Sequence, residues 1–197
     1  MTHDAGVVVP IRAFSLGKAR LAERLGPEAR ADLARRFATG VVAAAGDLPV
    51  VVVTSAPEVV TWARDLAVPT LDDPGSLDDA AAAGREYLSG RGCSRVVIAH
   101  ADLPFARSLA PVATGGPEPV VAIVPCHRND GTPVLAVPVG PPFRFAYGVG
   151  SFRRHVEEAH RLDLRVRVVR DPELSFDVDV PADLDRLRVA DWPGREQ

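Results

Sequence analysis

The sequence predicts an α/β protein with a mostly parallel central sheet and helices on both faces. Short β-branched runs alternate with alanine- and arginine-rich stretches of helical period over the first half of the chain, which implies parallel strands joined by right-handed crossovers. The second half has less helix and more Pro and Gly, and reads as a loop-rich elaboration of the same sheet.

In chain order, the apolar run from Gly6 to Ile11 predicts the first strand. Pro27 to Ala45 predicts a helix, with Pro27 suited to a first turn and Leu33, Phe37 and Val41 recurring at helical spacing. Val50 to Thr54 predicts a second buried strand, Pro57 to Leu66 a helix and Val68 to Leu71 a short strand. Ser76 to Leu88 predicts a helix capped by Ser76, with Asp79 three residues on as an imperfect capping box. Arg95 to Ala99 predicts a strand that runs directly into Asp102. Strands are then expected at Val120 to Val124, Val134 to Val139 and Arg165 to Val169, and helices at Ser151 to Leu162 and Pro181 to Val189. No internal repeat or linker divides the chain, so one domain is expected over 1–192 with a frayed tail over 193–197.

Composition narrows the function classes. The net charge of −3 supplies no global basic surface for nucleic acid, although a free nucleotide needs only a local cationic pocket. Cys93 and Cys126 are the only cysteines, neither a disulfide framework nor a zinc site. No secretion signal and no run of about 20 apolar residues is present, so a cytoplasmic protein without a membrane partner is expected. Of 23 basic residues the only lysine is Lys18, which suggests either chance or a need for a compact ammonium.

Ligands of an open parallel sheet bind beyond the carboxyl ends of its strands, and this rule singles out particular loops. The segment from Pro10 to Leu21 carries Arg12, Lys18 and Arg20 just past the first strand. It could hold a triphosphate, or be a solvated basic loop; it lacks the glycine spacing of a P-loop. Asp102 ends a buried strand, placed either to ligate magnesium or to cap a following helix. Asp177 and Asp179 alternate around Val178, so in an extended chain both carboxylates share a face. With Asp102 near, the three would make a magnesium site; the plain alternative is a polar edge strand. Gly148 and Gly150 precede Ser151 and a helix, fitting an anion held by backbone amides, an ordinary serine cap, or both. His155, His160, Glu157 and Glu158 lack metalloprotease spacing, Ser55, Ser94 and Ser108 lack a nucleophile elbow, and Asp72, Asp73, Asp78 and Asp79 read as a solvated acidic loop.

Four motifs occur in order: Pro10-x-Arg12 with Lys18-x-Arg20-Leu21, Ala101-Asp102-Leu103-Pro104, Gly148-x-Gly150-Ser151-Phe152-x-x-His155, and Asp177-x-Asp179-x-Pro181-x-Asp183-Leu184. Together, over nearly the whole chain, they resemble the 2-phospho-L-lactate or phosphoenolpyruvate guanylyltransferases of deazaflavin coenzyme F(420) biosynthesis. The resemblance implies a Rossmann-like nucleotidyltransferase fold, GTP and a phosphorylated three-carbon acid as substrates, and Mg2+ as cofactor. An acid phosphate oxygen would attack the α-phosphorus of GTP and release pyrophosphate. It further implies that Pro10, Arg12, Lys18 and Arg20 hold the nucleotide, that Lys18 and Asp102 are catalytic, and that Asp102, Asp177 and Asp179 bind the metal. Thr132, Gly148, Gly150, Ser151 and Phe152 would hold the acid.

Two segments depart from the family pattern. Where relatives carry Gly-Thr-Gly-Thr-Asn-Ala-Leu, this chain reads Asp130-Gly131-Thr132-Pro133-Val134-Leu135, and Pro133 has no N–H. Where relatives carry Leu-Asn-x-Ala, it reads Leu77-Asp78-Asp79-Ala80. An aspartate at 78 could accept from the N1–H and amino group of guanine, or repel phosphates. A transferase with another acceptor or nucleotide, and a non-catalytic nucleotide-binding paralogue, stand as alternatives. Oligomeric state is open, a homodimer being one option.

Overall fold

A computed structural model describes residues 4–16, 18–115 and 119–189, so the expected tail at 193–197 lies outside the described residues. The strands are β1 (Ala5–Pro10), β2 (Val50–Val53), β3 (Thr70–Leu71), β4 (Arg95–Ala99), β5 (Val120–Val124), β6 (Val134–Pro138) and β7 (Arg165–Val168). They form one sheet in the order β3-β2-β1-β4-β6-β5-β7. Every pairing is parallel except those of β6, which runs antiparallel to both β4 and β5. The chain therefore has the expected mostly parallel, Rossmann-like α/β architecture, with one reversed strand inserted.

Helices α1 (Pro27–Ala44), α2 (Pro57–Asp65), α3 (Leu77–Ser89), α4 (Ala110–Ala113), α5 (Ser151–Arg161) and α6 (Pro181–Val189) cover both faces. Phe37, Ala38, Val41 and Ala44 recur at helical spacing on α1. Ala38, Val41 and Ala44 pack with Val59, Trp62 and Ala63 of α2 and with α4 over Val7, Val9, Val52 and Val97. Ala80, Ala81 and Leu88 of α3 and Ala159 of α5 cover the other face, over Val8, Val51, Val96 and Ile98. Alternate residues of each strand thus feed opposite cores, so the central strands read as unbroken apolar runs. On α3, a Cβ at Gly84 would lie 2.4 Å from Val8 Cγ1; only glycine lets the helix approach β1 this closely. A third cluster, Leu21, Phe37, Phe176, Val178, Leu184 and Leu187, seats α6 against the loop after β1.

The ends of the expected elements fall within a residue of the sequence expectation, except at one strand. The larger difference is at β3: Val68 closes the turn ending α2, its N–H donating to Ala63 O at 2.9 Å, so only Thr70 and Leu71 pair with β2. The Ser76 cap is present: its Oγ accepts from Asp79 N at 3.1 Å and donates to Asp79 Oδ2 at 2.6 Å. Among the described residues no helix is long and apolar enough to cross a membrane.

Candidate active site

β1 and β4 are neighbours, and the strand order reverses between them, since β1 leads to β2 on one flank and β4 leads to β5 on the other; the crevice lies beyond their carboxyl ends. The reversed strand β6 brings a further loop to this edge. Val134 pairs with Ala99, and Pro133 O accepts the His100 N–H at 2.9 Å, so Thr132 and Pro133 lie beside the end of β4. The segment after β7 crosses the same edge, held by His127 N–H to Ser175 O at 2.8 Å and Val178 N–H to Asp102 O at 3.4 Å.

The crevice has two chambers. One, of about 450 Å3, is lined by Pro10, Arg12, Phe14, Lys18, Leu77 and Ala101 among others. The second, of about 460 Å3, is lined by Arg128, Asp130, Thr132, Pro133, Tyr147, Gly148, Ser151 and Asp177. Arg20, His100, Asp102 and Asp179 line both, so the chambers meet at these side chains. A larger cavity of about 860 Å3 lies at the opposite edge, beside Asp4, Ser94 and Pro138. It is at the amino ends of β1 and β4, not where an open sheet takes ligands.

Lys18 holds the junction. Its side chain is 8% exposed, and Nζ donates to Asp102 Oδ2 and Val178 O at 2.6 Å each, with Asp179 Oδ1 at 3.8 Å. Its backbone is left-handed, with φ at 60°, a conformation that costs a non-glycine residue about 1–2 kcal/mol and turns the chain into the 3-10 turn Ala19–Leu21. Burial works to raise the Asp102 carboxyl, but the Lys18 ammonium, with His100, overrides it and holds it below the usual carboxylate range. Asp177 moves the other way: burial raises it, and the charges of Asp179 and Asp102 raise it further. Asp102, Asp177 and Asp179 are thus close enough to feel one another. Asp102 does not cap a helix.

Oxygen donors for a hard cation stand ready at this point. Asp102 Oδ1 and Asp177 Oδ1 are buried without a hydrogen bond. His127 Nδ1 lies 3.1 Å from Asp177 Oδ1, within ion-pair distance but not aligned as a hydrogen bond. Among the described residues no three His, Cys, Asp or Glu side chains make a cage by themselves. Magnesium needs none, because it keeps several waters and is held through one or two carboxylates plus substrate phosphates. The residues fit such an ion.

Several predicted roles need correction. Gly150 N–H donates to Asp130 Oδ1 at 2.9 Å, Phe152 N–H to Asp130 O at 3.1 Å and Ser151 N–H to Gly148 O at 3.0 Å. The amides of Gly150, Ser151 and Phe152 are therefore engaged within the protein, two of them because Asp130 reaches across from the β5–β6 turn. Gly150, left-handed at φ 72°, is the cap of α5, and Ser151 is its first helical residue, so serine capping is absent too. Phe152 packs against the core on the α3 and α5 face. Asp78 Oδ1 accepts the Tyr147 N–H at 2.7 Å, tying α3 to the 146–149 loop, and Asp78 lines neither chamber. Arg12 is exposed at the mouth and donates to Gly75 O at 3.3 Å.

Other residues that shape the site carried little signal in the sequence. The rings of His100 and Tyr147 meet at 5.4 Å, tilted by 45°, with His100 Nε2 and Tyr147 Oη buried and without a hydrogen bond. Asp183 Oδ2 accepts the N–H groups of Asp179 and Val180 at 2.8 and 2.9 Å, and its carboxylate takes a forked bond from Arg128 at 2.9 and 3.0 Å. An acid in the first turn after Pro181 is the signal that could have found this cap. Arg154 donates to the carbonyls of Ala146, Tyr147 and Val149 and so fixes the loop carrying Gly148.

Comparison with known proteins matches residues 5–190 to the family model described as guanylyl transferase CofC like. The chain belongs to this guanylyltransferase family. A phosphoenolpyruvate guanylyltransferase of Sphaerobacter thermophilus is 33% identical over 187 residues, covering 91% of this chain and 90% of that protein. A 2-phospho-L-lactate guanylyltransferase of Halorubrum lacusprofundi is 35% identical over 189 residues, covering 93% and 83%. A solved structure from Desulfovibrio desulfuricans, assigned as a nucleotide-diphospho-sugar transferase, has a TM-score of 0.72 over 95% of this chain and 87% of its own. At 18% identity that likeness concerns the fold alone. For the guanylyltransferase, the four ordered motifs and the junction of Lys18 with Asp102 and Asp179 fall within the matched span.

Proposed function

We propose that this guanylyltransferase joins the GMP moiety of GTP to the phosphate of a three-carbon acid, phosphoenolpyruvate or 2-phospho-L-lactate, with release of pyrophosphate, in coenzyme F(420) biosynthesis. The observation that carries the reading is the pair of chambers meeting at Arg20, His100, Asp102 and Asp179, which suits two phosphorylated substrates brought end to end. The chamber beside β1, with Arg12, Lys18 and Arg20, takes the nucleotide phosphates. The chamber beside β6, with Thr132, Gly148 and Ser151, takes the acid. Each chamber is large enough for a small polar ligand, and the shared wall brings the acid phosphate to the α-phosphorus, so much of the catalysis is positioning.

Lys18 keeps Asp102 ionised at the junction and adds positive charge where the attacking and leaving phosphates crowd together. Asp102 and Asp179, with Asp177 behind them, would hold Mg2+, whose chemistry is to neutralise phosphate charge as the pyrophosphate departs. Arg128 and Asp183 keep the Asp177 to Val180 segment in place. The test is pyrophosphate release with each nucleoside triphosphate against phosphoenolpyruvate, 2-phospho-L-lactate and 3-phosphoglycerate. Release with GTP and one of the first two acids is expected. Release with another triphosphate and none with GTP would contradict the proposal.

A further inference from the structure

His155 is fully buried on α5 between the rings of Phe143 and Tyr147, and both of its ring nitrogens are bonded. Nε2 lies 3.0 Å from the backbone nitrogen of Ala146, and a backbone N–H can only donate. Nε2 is therefore the bare nitrogen. The ring is neutral at physiological pH: burial first, then Arg154 and His100, push it down to about 4. The remaining proton sits on Nδ1, which faces Thr132 Oγ1 at 3.1 Å. Nδ1 therefore donates and the threonine oxygen accepts.

This direction matters because of a count of hydrogens. Thr132 Oγ1 lies 3.3 Å from Ser151 Oγ, and among the described residues neither hydroxyl has a partner other than this contact and His155. Two hydroxyls carry two hydrogens, and their mutual bond uses one. With His155 donating, the second hydrogen is unspent and can turn toward the chamber that Thr132 and Ser151 line. In the opposite tautomer Thr132 would donate to Nδ1 and Ser151 to Thr132, leaving only lone pairs to face a ligand. The amides of Gly150 and Phe152 are already bound to Asp130, so beside them the hydroxyl is the donor that the Thr132–Ser151 pair adds to the chamber.

We infer that His155 is a positioning residue that fixes the Thr132–Ser151 pair as a hydrogen-bond donor, so that this corner selects a group that only accepts, a carboxylate or a phosphate. The inference rests on the placement of the acid in this chamber for its enzymatic consequence, but its structural core does not.

Nitrogen-15 NMR of the free protein with labelled histidine reads the tautomer without substrate. A proton on Nδ1 and a bare Nε2 are expected at His155; a proton on Nε2 overturns the inference. Kinetics read the consequence. His155→Phe keeps a ring in the same packing but removes the Nδ1–H that pins the Thr132 oxygen; the spare hydroxyl hydrogen remains and is no longer held toward the chamber, so the KM for phosphoenolpyruvate or 2-phospho-L-lactate should rise about tenfold. The KM for GTP should stay within about twofold. His155→Asn, whose amide donates from near the Nδ1 position, should recover most of the loss. In a Thr132→Val background, His155→Phe should add nothing. A parallel rise in both KM values, or additive losses without recovery by asparagine, would mark a merely structural role and overturn the inference. If wild type transfers GMP to neither acid, the acceptor proposal fails by itself. Calorimetry with inorganic phosphate then decides the relay, since His155→Phe should weaken phosphate binding and equal affinity would overturn it.

Discussion

Replacing Lys18 by methionine should destabilise the protein in a pH-dependent way. The substitution keeps the side chain's length and deletes two 2.6 Å contacts, one to Asp102 Oδ2 and one to Val178 O. Hydrogen bonds to charged groups contribute about 1.5–3 kcal/mol each, and removing one member of a buried ion pair costs about 3–5 kcal/mol. Asp102 keeps 24% of its side chain exposed against 8% for Lys18, so water takes up part of the released charge, and about 2–4 kcal/mol is expected at neutral pH. The sign follows from the carboxyl. In wild type it is held below its ordinary value, so its contribution is fully present above the ordinary carboxylate range and is lost as pH falls through the lowered value. Without the ammonium, burial raises it instead, and the variant pays for ionising Asp102 as pH rises. The deficit should therefore be largest at neutral pH and shrink toward about pH 4. Urea unfolding at neutral pH and at about pH 4.5 measures it, together with Lys18→Met combined with Asp102→Asn, which should recover at least half of the deficit. A deficit that is constant with pH and untouched by Asp102→Asn would refute the reasoning.

Asp177→Asn should stabilise the free protein at neutral pH, because burial and two neighbouring charges raise its carboxyl and stability is lost as pH rises through that raised value; activity should fall by about a hundredfold or more, measured by pyrophosphate release. Gly84→Ala should cost about 1–3 kcal/mol by driving a Cβ into Val8, with partial recovery in a Val8→Ala background, both read by thermal unfolding. Asp78→Asn should leave the ratio of kcat/KM for GTP over ATP unchanged, since Asp78 holds Tyr147 rather than a base; a switch in that ratio would return the residue to nucleotide selection. Asp183→Ala should cost about 1 kcal/mol in stability by uncapping α6 and should lower kcat by loosening Asp179.

The sheet was legible because its central strands are buried on both faces: Val7 to Val9, Val51 to Val53 and Val96 to Ala99 are continuous apolar runs with helical stretches between them. The reversal of β6 was not legible, since a strand's direction depends on its partners rather than its own residues. Within the site, strand-end position was enough to pick out Lys18, Asp102, Asp177 and Asp179 as candidates, and the structure brings them together. It was not enough for the Gly148 to Phe152 turn, where a carboxylate 20 residues away in sequence from Gly150 occupies the amide that a ligand was expected to use. The spacing of His155 fits no metal motif, and the sequence gives it no other chemistry. What gives it a role is a backbone N–H from Ala146, and that contact depends on the path of a loop. The contact of Asp78 is hidden for a similar reason: an acid opening a helix looks free in sequence, and its partner at Tyr147 is 69 positions away.

The most direct test of the transfer reaction is a single-turnover measurement with GTP labelled at the α-phosphorus and an excess of phosphoenolpyruvate or 2-phospho-L-lactate. The label should appear joined to the acid phosphate, in step with an equal amount of unlabelled pyrophosphate. Label released as free GMP, or retained in GDP, would contradict the attack of the acid phosphate on the α-phosphorus at the Lys18–Asp102 junction.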